Sequence, residues 1–243
     1  MKKIRDLITS EHFKTYGYEI INANLLTEFE PFKSRFEKYF SEKATEFKGA
    51  PINFKDIGYY HDVIDSHEIN HHEFIQSISR KLPSEFLNDP FIKSIVNSLS
   101  SFLNSKIKIT DEIIWYRICR PNNDDSNDFH RDHWFPNYMD VLNLYVPIAG
   151  SYSYSAMKIV PKSHLWSDDD VIPTFSGDSG QKYFKNDVAY SAPGIKYCKH
   201  EISPHRPDTK PGNIMIFDPK IIHGGGDNFS IQTRISLEIR VNL

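Results

Sequence analysis

The stretch Asp128-Phe129-His130-Arg131-Asp132-His133-Trp134 decides how this sequence is interpreted, because it places two metal-binding side chains two residues apart. In an extended strand, residues i and i+2 point to the same face, so His130 and Asp132 can reach one metal ion. A His-x-Asp triplet alone is a weak signal, since it occurs by chance in many proteins. Its meaning depends on what the rest of the chain adds.

A third candidate ligand lies in the glycine-rich stretch Ile222-His223-Gly224-Gly225-Gly226, about ninety residues later. With His130 and Asp132, His223 would complete a two-histidine, one-carboxylate face of an octahedron. That ligand set leaves three positions open and suits non-haem Fe(II) that activates O2. We therefore predict that His130, Asp132 and His223 are both the metal ligands and the catalytic residues.

A candidate anion clamp follows His223 by eleven residues, in Arg234-Ile235-Ser236. In a strand, this spacing puts the guanidinium and the hydroxyl on one face. A planar guanidinium matches the geometry of a carboxylate and can bind it through two parallel hydrogen bonds. Arg234 and Ser236 are therefore predicted to bind an anionic ligand.

Composition limits the classes of partner. A chain of 243 residues that is 39% hydrophobic and 14% aromatic can bury a sizeable core. The net charge of −3 shows no basic excess, so we expect no nucleic-acid partner. No stretch approaches the roughly twenty apolar residues of a membrane span, and the start has no signal-peptide core. With only two cysteines, we expect a cytoplasmic protein without a membrane partner; the sequence makes no prediction of oligomeric state.

Residues 1–105 predict a mainly helical supporting part. Residues 18–21 form a short apolar run that predicts a first strand. Asn24 and Leu25 are then the predicted start of an amphipathic helix, which has Pro31 inside it.

A histidine-rich segment at residues 58–72 offers other potential ligands. His71 and His72 fall in a predicted helix over residues 66–82, where adjacent side chains point about 100° apart. We therefore favour solvated or capping histidines over a second metal site.

Residues 106–243 predict the β core. About eight short strands separated by turn residues are typical of a double-stranded β-helix, a jelly-roll or cupin-like barrel. The polar stretch at about 167–211 is predicted to be a long lid or binding loop. We interpret residues 1–243 as a single domain that is mainly β, flanked by N-terminal helices.

These parts, in this order, resemble the Fe(II)/2-oxoglutarate-dependent dioxygenases, and most closely their phytanoyl-CoA hydroxylase-like branch. Two further phrases resemble that branch: Met157-Lys158-Ile159-Val160-Pro161-Lys162-Ser163-His164, and Pro211-Gly212-Asn213-Ile214-Met215-Ile216-Phe217-Asp218. Lys162 and Ala156 stand where the branch often has glycine, and neither is a metal ligand. The resemblance covers about residues 106–243.

The resemblance implies Fe(II), 2-oxoglutarate and O2 as cofactor and co-substrates. 2-Oxoglutarate would be decarboxylated to succinate and CO2 while a substrate C–H bond is oxidised, usually by hydroxylation, with desaturation, ring closure or epimerisation as alternatives. Arg234 and Ser236 would bind its distal carboxylate. Strand position adds Tyr116 and Asn143 as carboxylate-binding residues, with core packing and a turn-side amide as their alternatives. Arg240 is late in the chain for this family, which favours a surface or core-edge role.

The substrate is expected to be a small polar or anionic metabolite, such as a sugar, nucleotide or amino-acid derivative. This expectation rests on the aromatic and basic side chains that lie beside the predicted metal ligands and in the predicted long loop. They are Phe129, Arg131, Trp134, Phe135, Tyr138, Tyr190, Tyr197, Lys199, His200 and Arg206. Two other classes stay open, a non-catalytic jelly-roll binding module and a cupin-like metal enzyme that does not use 2-oxoglutarate. An Arg-x-Ser clamp favours the oxygenase over both.

Overall fold

A five-stranded sheet with a layer of helices on one face makes up most of the fold. The computed structural model describes residues 3–22, 26–185 and 188–243. Within those ranges the helices are α1 (Glu11–Tyr16), α2 (Leu26–Lys48), α3 (Tyr60–Ser66), α4 (His71–Ile78), α5 (Ser84–Leu87) and α6 (Pro90–Leu103). The strands are β1 (Tyr18–Asn22), β2 (Lys108–Cys119), β3 (Leu142–Ala149), β4 (Lys158–Val160), β5 (Val171–Pro173), β6 (Tyr183–Lys185), β7 (Val188–Tyr190), β8 (Ile195–Cys198), β9 (Asn213–Phe217), β10 (Ile222–Gly224) and β11 (Arg234–Asn242).

The strands form the two layers of a double-stranded β-helix, as predicted. The main sheet has the order β1-β9-β3-β11-β2, and each neighbouring pair is antiparallel. The predicted first strand is confirmed as β1, at the edge of this sheet. The shorter pair β4–β10 faces the main sheet. One apolar cluster joins the layers, with these members: Tyr18, Tyr145, Met157, Ile159, Met215, Phe217 and Ile221.

Alternation along β11 separates the two faces of the main sheet. Its apolar side chains are buried in the core that the sheet shares with the helices: Ile235, Leu237, Ile239 and Val241. Its polar side chains line cavities on the other face: Arg234, Ser236, Glu238 and Arg240. Because successive side chains of a strand point to opposite faces, β11 supplies both a core stripe and a polar row inside the barrel.

The helices pack through the aromatic stripe of α2. Phe32, Phe36 and Phe40 recur every four residues and are fully buried. The ring of Phe36 lies 5.8 Å from that of Tyr116 on β2, centroid to centroid. The predicted amphipathic helix is confirmed, and Pro31 lies in its second turn. Asn24 and Leu25, its predicted start, lie outside the described residues. Among the helices described, none is both long enough and apolar enough to cross a membrane.

Two sequence predictions for local structure were wrong. The helix predicted over residues 66–82 is divided, because α3 ends at Ser66 and the side chain of Asn70 caps a new helix at His71. The stretch at 167–211 is not one long loop, since β5 pairs with β8 and β6 pairs with β7 within it. The turn-rich composition of this stretch reflected short hairpins.

Candidate active site

His130, Asp132 and His223 converge between the two layers of the barrel. One ligand atom from each lies within 4.8 Å of the other two. Oδ1 of Asp132 is 3.6 Å from Nε2 of His130 and 3.9 Å from Nε2 of His223. All three residues are buried, with at most 5% of their surface exposed. Two imidazoles and a carboxylate at this separation form a pocket that a divalent ion would fill.

The chain brings His130 and Asp132 together by a route that differs from the predicted strand. His130 forms an isolated bridge with His223, in which each backbone N–H donates to the other's carbonyl oxygen at 3.0 Å. Asp132 then begins a short 3-10 turn, Asp132–Trp134. The two ligands converge because the chain turns after the bridge, and not because they share one face of a strand.

Backbone carbonyls fix the orientation of both imidazoles. Nδ1–H of His130 donates to the carbonyl oxygen of Asp128 at 2.7 Å, and Nδ1–H of His223 donates to that of Ile221 at 3.1 Å. Each Nε2 lone pair is therefore directed to the side where Asp132 lies, an arrangement typical of metal-binding histidines. Burial and the neighbouring His130 lower the pKa of His223 to about 4. His223 is accordingly neutral at pH 7, the form that binds a metal.

Arg240 holds the other oxygen of the predicted carboxylate ligand. Its Nη2 and Nε donate to Oδ2 of Asp132 at 2.6 and 3.0 Å, and its guanidinium lies 4.1 Å from the ring centroid of Tyr138. Burial alone would raise the pKa of Asp132, but Arg240 and the two histidines hold that pKa well below its ordinary value. The predicted surface or core-edge role of Arg240 was wrong, because the alternation of β11 turns this residue into the barrel.

Replacing Arg240 by alanine should destabilise the metal-free protein by about 3–5 kcal/mol, because it leaves the buried carboxylate of Asp132 without its counter-charge. A bound divalent ion supplies a new counter-charge, so Mn(II) should stabilise Arg240→Ala more than it stabilises wild type. Chemical denaturation with and without Mn(II) measures both effects.

Arg35→Ala is the matched control for this experiment, since it breaks the ion pair with Asp89, 2.6 Å long, on the helical side. It should lower stability without any additional rescue by the metal. Equal rescue of both variants would contradict the role of Arg240.

Arg234 and Ser236 line a narrow cavity that also reaches His130 and His223. The guanidinium of Arg234 donates to the carbonyl oxygen of Ser155 at 2.8 Å and to Sγ of Cys119 at 2.7 Å. Its Nε is buried and has no hydrogen-bond partner among the described residues. Oγ of Ser236 is also buried and interacts with the hydroxyl of Tyr145. Buried donors are rarely left unpaired, so Arg234 fits a ligand carboxylate.

Gly226 makes room for that guanidinium. A Cβ at residue 226 would lie 2.4 Å from Nη1 of Arg234, well inside van der Waals contact. The last glycine of the Gly224-Gly225-Gly226 run is therefore required by the position of Arg234. The glycine-rich histidine motif and the arginine motif are parts of the same cavity wall.

Asn143 and Tyr116, the two residues predicted from strand position, lie on opposite faces of the sheet. Asn143 pairs with Arg240 across β3 and β11, is 2% exposed, and has no hydrogen-bond partner for its amide among the described residues. Tyr116 points into the helical core instead, where its hydroxyl donates to the carbonyl oxygen of Ser79. The structure does not bring Tyr116 to the site; on β2 it is Trp115, Arg117 and Cys119 that line the cavities.

Tyr116→Phe should consequently leave 2-oxoglutarate affinity unchanged. It should lower the free energy of unfolding by about 0.5–1.5 kcal/mol, the usual net contribution of one hydrogen bond. Calorimetry with 2-oxoglutarate and urea denaturation measure the two quantities. A tenfold loss of co-substrate affinity with unchanged stability would contradict this prediction and would indicate that Tyr116 contributes to co-substrate binding.

A larger cavity, of about 570 Å³, opens on the other side of His130 and Asp132. Three of the residues predicted to line a substrate pocket do so: Phe135, Tyr138 and Tyr190. Two other residues from that prediction make structural hydrogen bonds instead. Arg131 is fully buried and donates to the carbonyl oxygen of Ser163, and Arg206 donates to those of Ala156 and Asp227.

The remaining predicted pocket residues also lie elsewhere. Lys199 and His200 are within 3.2 and 3.4 Å of the carboxylate of Asp170, and Tyr197 is exposed. Phe129 and Trp134 pack against a small apolar cluster formed by residues of β4, β5 and β10. Sequence reasoning missed Trp115 and Arg117 as lining residues. Their signal was the alternation along β2, which also gives the correct face for Tyr116.

A second group, His71, His72 and Asp125, also brings ligand atoms within 4.8 Å of one another. Both oxygens of Asp125 already accept hydrogen bonds from the guanidinium of Arg120, at 2.8 and 2.9 Å. His71 is buried against the hydroxyl of Tyr60, 3.0 Å from Nδ1. Because the guanidinium of Arg120 already occupies both oxygens of Asp125, a structural role for this group is favoured over a metal site. The prediction of solvated or capping histidines was wrong for His71, which is buried.

Comparison with known proteins agrees with this geometry. Residues 17–236 match the phytanoyl-CoA dioxygenase (PhyH) family. No curated protein matches the sequence. Among solved structures, the chain is similar to the epimerase SnoN in complex with Fe3+, alpha-ketoglutarate and nogalamycin RO, with a TM-score of 0.53, 13% identity, and coverage of 98% of this chain and 82% of that one.

Two further solved structures have the same fold. The non-haem monooxygenase ThoJ gives a TM-score of 0.52 at 12% identity, covering 97% of this chain and 76% of that one. EvdO2 from Micromonospora carbonacea var. aurantiaca, complexed with 2-oxoglutarate, gives 0.50 at 14% identity, covering 100% and 91%. At these identities the likeness shows the shared fold, and the family match adds the chemistry. The chain belongs to the phytanoyl-CoA dioxygenase family and is an Fe(II)- and 2-oxoglutarate-dependent dioxygenase.

Proposed function

We propose that this dioxygenase binds Fe(II) through His130, Asp132 and His223, binds 2-oxoglutarate through Arg234 and Ser236, and hydroxylates a small polar metabolite in the larger cavity. One observation carries the proposal: His130 lies in the wall of both cavities. A metal held at His130 would contact the co-substrate on one side and the substrate on the other.

The protein's own groups each have a defined task in this scheme. When bound, Fe(II) and 2-oxoglutarate supply the oxidising power, with conversion of 2-oxoglutarate to succinate and CO2. Arg234 offers a buried cation whose Nε–H has no partner in the described part of the chain, and it orients the distal carboxylate and compensates its charge. Arg240 keeps Asp132 ionised and leaves Oδ1 directed to the metal side. Asn143, beside Arg240, is a further candidate for a co-substrate carboxylate.

The shape and lining of the larger cavity support a metabolite of modest size. Its volume of about 570 Å³ is within the range of small-molecule sites. Phe135, Tyr138 and Tyr190 line the cavity, and so do three arginines. Such a wall suits a polar molecule with a flat or apolar part better than a bare hydrocarbon chain.

The proposal is tested by measuring succinate formation from 2-oxoglutarate with Fe(II) and O2, alone and with sugars, nucleotides and amino-acid derivatives. We expect one class to stimulate succinate formation and to gain one oxygen atom from labelled O2, detected by mass spectrometry. Metal-dependent binding of 2-oxoglutarate that is insensitive to Arg234→Ala would contradict the proposed site. Stimulation by fatty acyl chains alone would contradict the substrate class.

A further inference from the structure

Arg80 is held firmly at the wall of the larger cavity. It follows α4, and its carbonyl oxygen accepts a hydrogen bond from the backbone N–H of Tyr116 at 3.0 Å. The next residue, Lys81, forms a bridge with Trp115 on β2. These contacts fix the backbone of Arg80 against the edge of the main sheet. Its side chain lines the cavity whose wall also includes His130 and Asp132.

The three arginines of this cavity differ in their counter-charges. Arg117 pairs with Glu238 at 3.0 Å, and Arg240 pairs with Asp132 at 2.6 Å. Arg80 pairs with no carboxylate among the described residues, and its charged neighbour is Arg117. Its guanidinium hydrogen-bonds to the neutral hydroxyl of Tyr190 and lies 5.7 Å from the centroid of that ring.

Among the residues that the structure describes, no carboxylate therefore balances the charge of Arg80. Burial and then the charge of Arg117 lower the pKa of Arg80, yet an arginine stays protonated at neutral pH. A half-buried cation next to a second cation is unfavourable unless an anion arrives to balance it. The cavity wall thus attracts negative charge at this position.

We propose that Arg80 binds an anionic group of the primary substrate, a carboxylate or a phosphate, so that the enzyme oxidises a small organic anion. This inference rests on the proposed function. Trp115 and Tyr190 line the same cavity and would pack against the body of the molecule while the guanidinium binds its oxyanion. The geometry separates this role from co-substrate binding, because Arg80 lines the larger cavity and is absent from the wall of the narrow one around Arg234.

The test uses the full chain loaded with Mn(II) and 2-oxoglutarate, titrated in a calorimeter with three aromatic probes. Benzoate and phenyl phosphate carry the two anionic groups, and benzamide is the neutral counterpart. We expect wild type to bind at least one anion at millimolar concentration and more tightly than benzamide. Arg80→Ala should weaken that anion by at least about tenfold, the usual effect of losing a charged hydrogen bond. The tighter anion identifies the group.

Two further variants make the result specific. Arg80→Lys keeps the charge and loses the planar fork, so it should bind the anion more tightly than Arg80→Ala and less tightly than wild type. Lys93→Ala removes an equal charge from the exposed face of α6 and should bind like wild type. Thermal unfolding of each variant verifies that it is folded.

Several results would overturn the inference. These are equal affinity for benzoate and benzamide, no binding of either anion, or an unchanged affinity in Arg80→Ala. A weaker affinity for 2-oxoglutarate in Arg80→Ala, before any probe is added, would assign Arg80 to the co-substrate instead. Failure of wild type to bind 2-oxoglutarate with Mn(II) is a different result, since it overturns the proposed function itself.

Discussion

Replacing His223 by alanine should abolish the metal-dependent binding of 2-oxoglutarate and all turnover. His223 supplies one of three ligand atoms that lie within 4.8 Å of one another, and its Nδ1–H is already committed to the carbonyl oxygen of Ile221. The remaining two ligands would hold a divalent ion much more weakly. The loss should exceed the roughly 10–100-fold cost of removing a group that only orients a ligand.

Calorimetry under anaerobic conditions, with Mn(II) as an inert substitute for Fe(II), measures this effect. His223→Gln keeps most of the side-chain volume and therefore controls for a packing defect. It should lose metal-dependent binding of 2-oxoglutarate as His223→Ala does. His205→Ala is the matched control, because His205 is an exposed histidine whose backbone pairs with that of Ile159. Metal-dependent binding of 2-oxoglutarate that survives in both His223 variants would exclude His223 as a ligand.

Replacing Arg234 by alanine should remove co-substrate affinity while the metal still binds. Arg234 is 4% exposed and lines the narrow cavity that also reaches His223, and its Nε has no hydrogen-bond partner among the described residues. Truncating one partner of a buried charge pair costs about 2–5 kcal/mol, roughly thirtyfold to several-thousandfold in affinity. Arg234→Lys should recover only part of this, because an ammonium cannot form two parallel hydrogen bonds to a carboxylate.

Two measurements on the Arg234 variants separate function from folding. Electron paramagnetic resonance of Mn(II) should report wild-type metal affinity, and calorimetry should report the weakened binding of 2-oxoglutarate. Loss of metal binding together with co-substrate binding would mean that the variant has disrupted the barrel. Unchanged co-substrate affinity in a folded variant would favour a metal enzyme that does not use 2-oxoglutarate.

The motifs singled out side chains that the fold brings together, because a metal site requires particular residue types. His130, Asp132 and His223 were identified from their order and spacing, and they converge although the assumed strand at Asp132 is a 3-10 turn. The sequence carried no sign of that turn. The barrel class likewise followed from short, evenly spaced strands, whereas the hairpins within residues 167–211 were hidden by their polar, turn-rich composition.

Errors arose where the face of a strand mattered. Tyr116 was assigned to the site by its strand, but the neighbouring Arg117 faces the cavity. Arg240 was predicted to have a surface or core-edge role because it comes late in the chain, but it lies on the same face of β11 as Arg234 and Ser236. Counting by twos from Arg234 would have found it. The ion pair with Asp132 could not be predicted, since it depends on where the turn after His130 places that carboxylate.

The strict alternation of β11 has a consequence for how this protein can diversify. Substitutions at 234, 236, 238 and 240 can change the chemistry of the barrel interior while the odd-numbered positions keep the core intact. Substitutions at the odd positions affect folding and leave ligand recognition largely alone. Insertion or deletion of one residue would exchange the two sets, placing charged groups in the apolar core. Evolution along this strand is therefore expected to proceed by point substitution, with length changes confined to its ends.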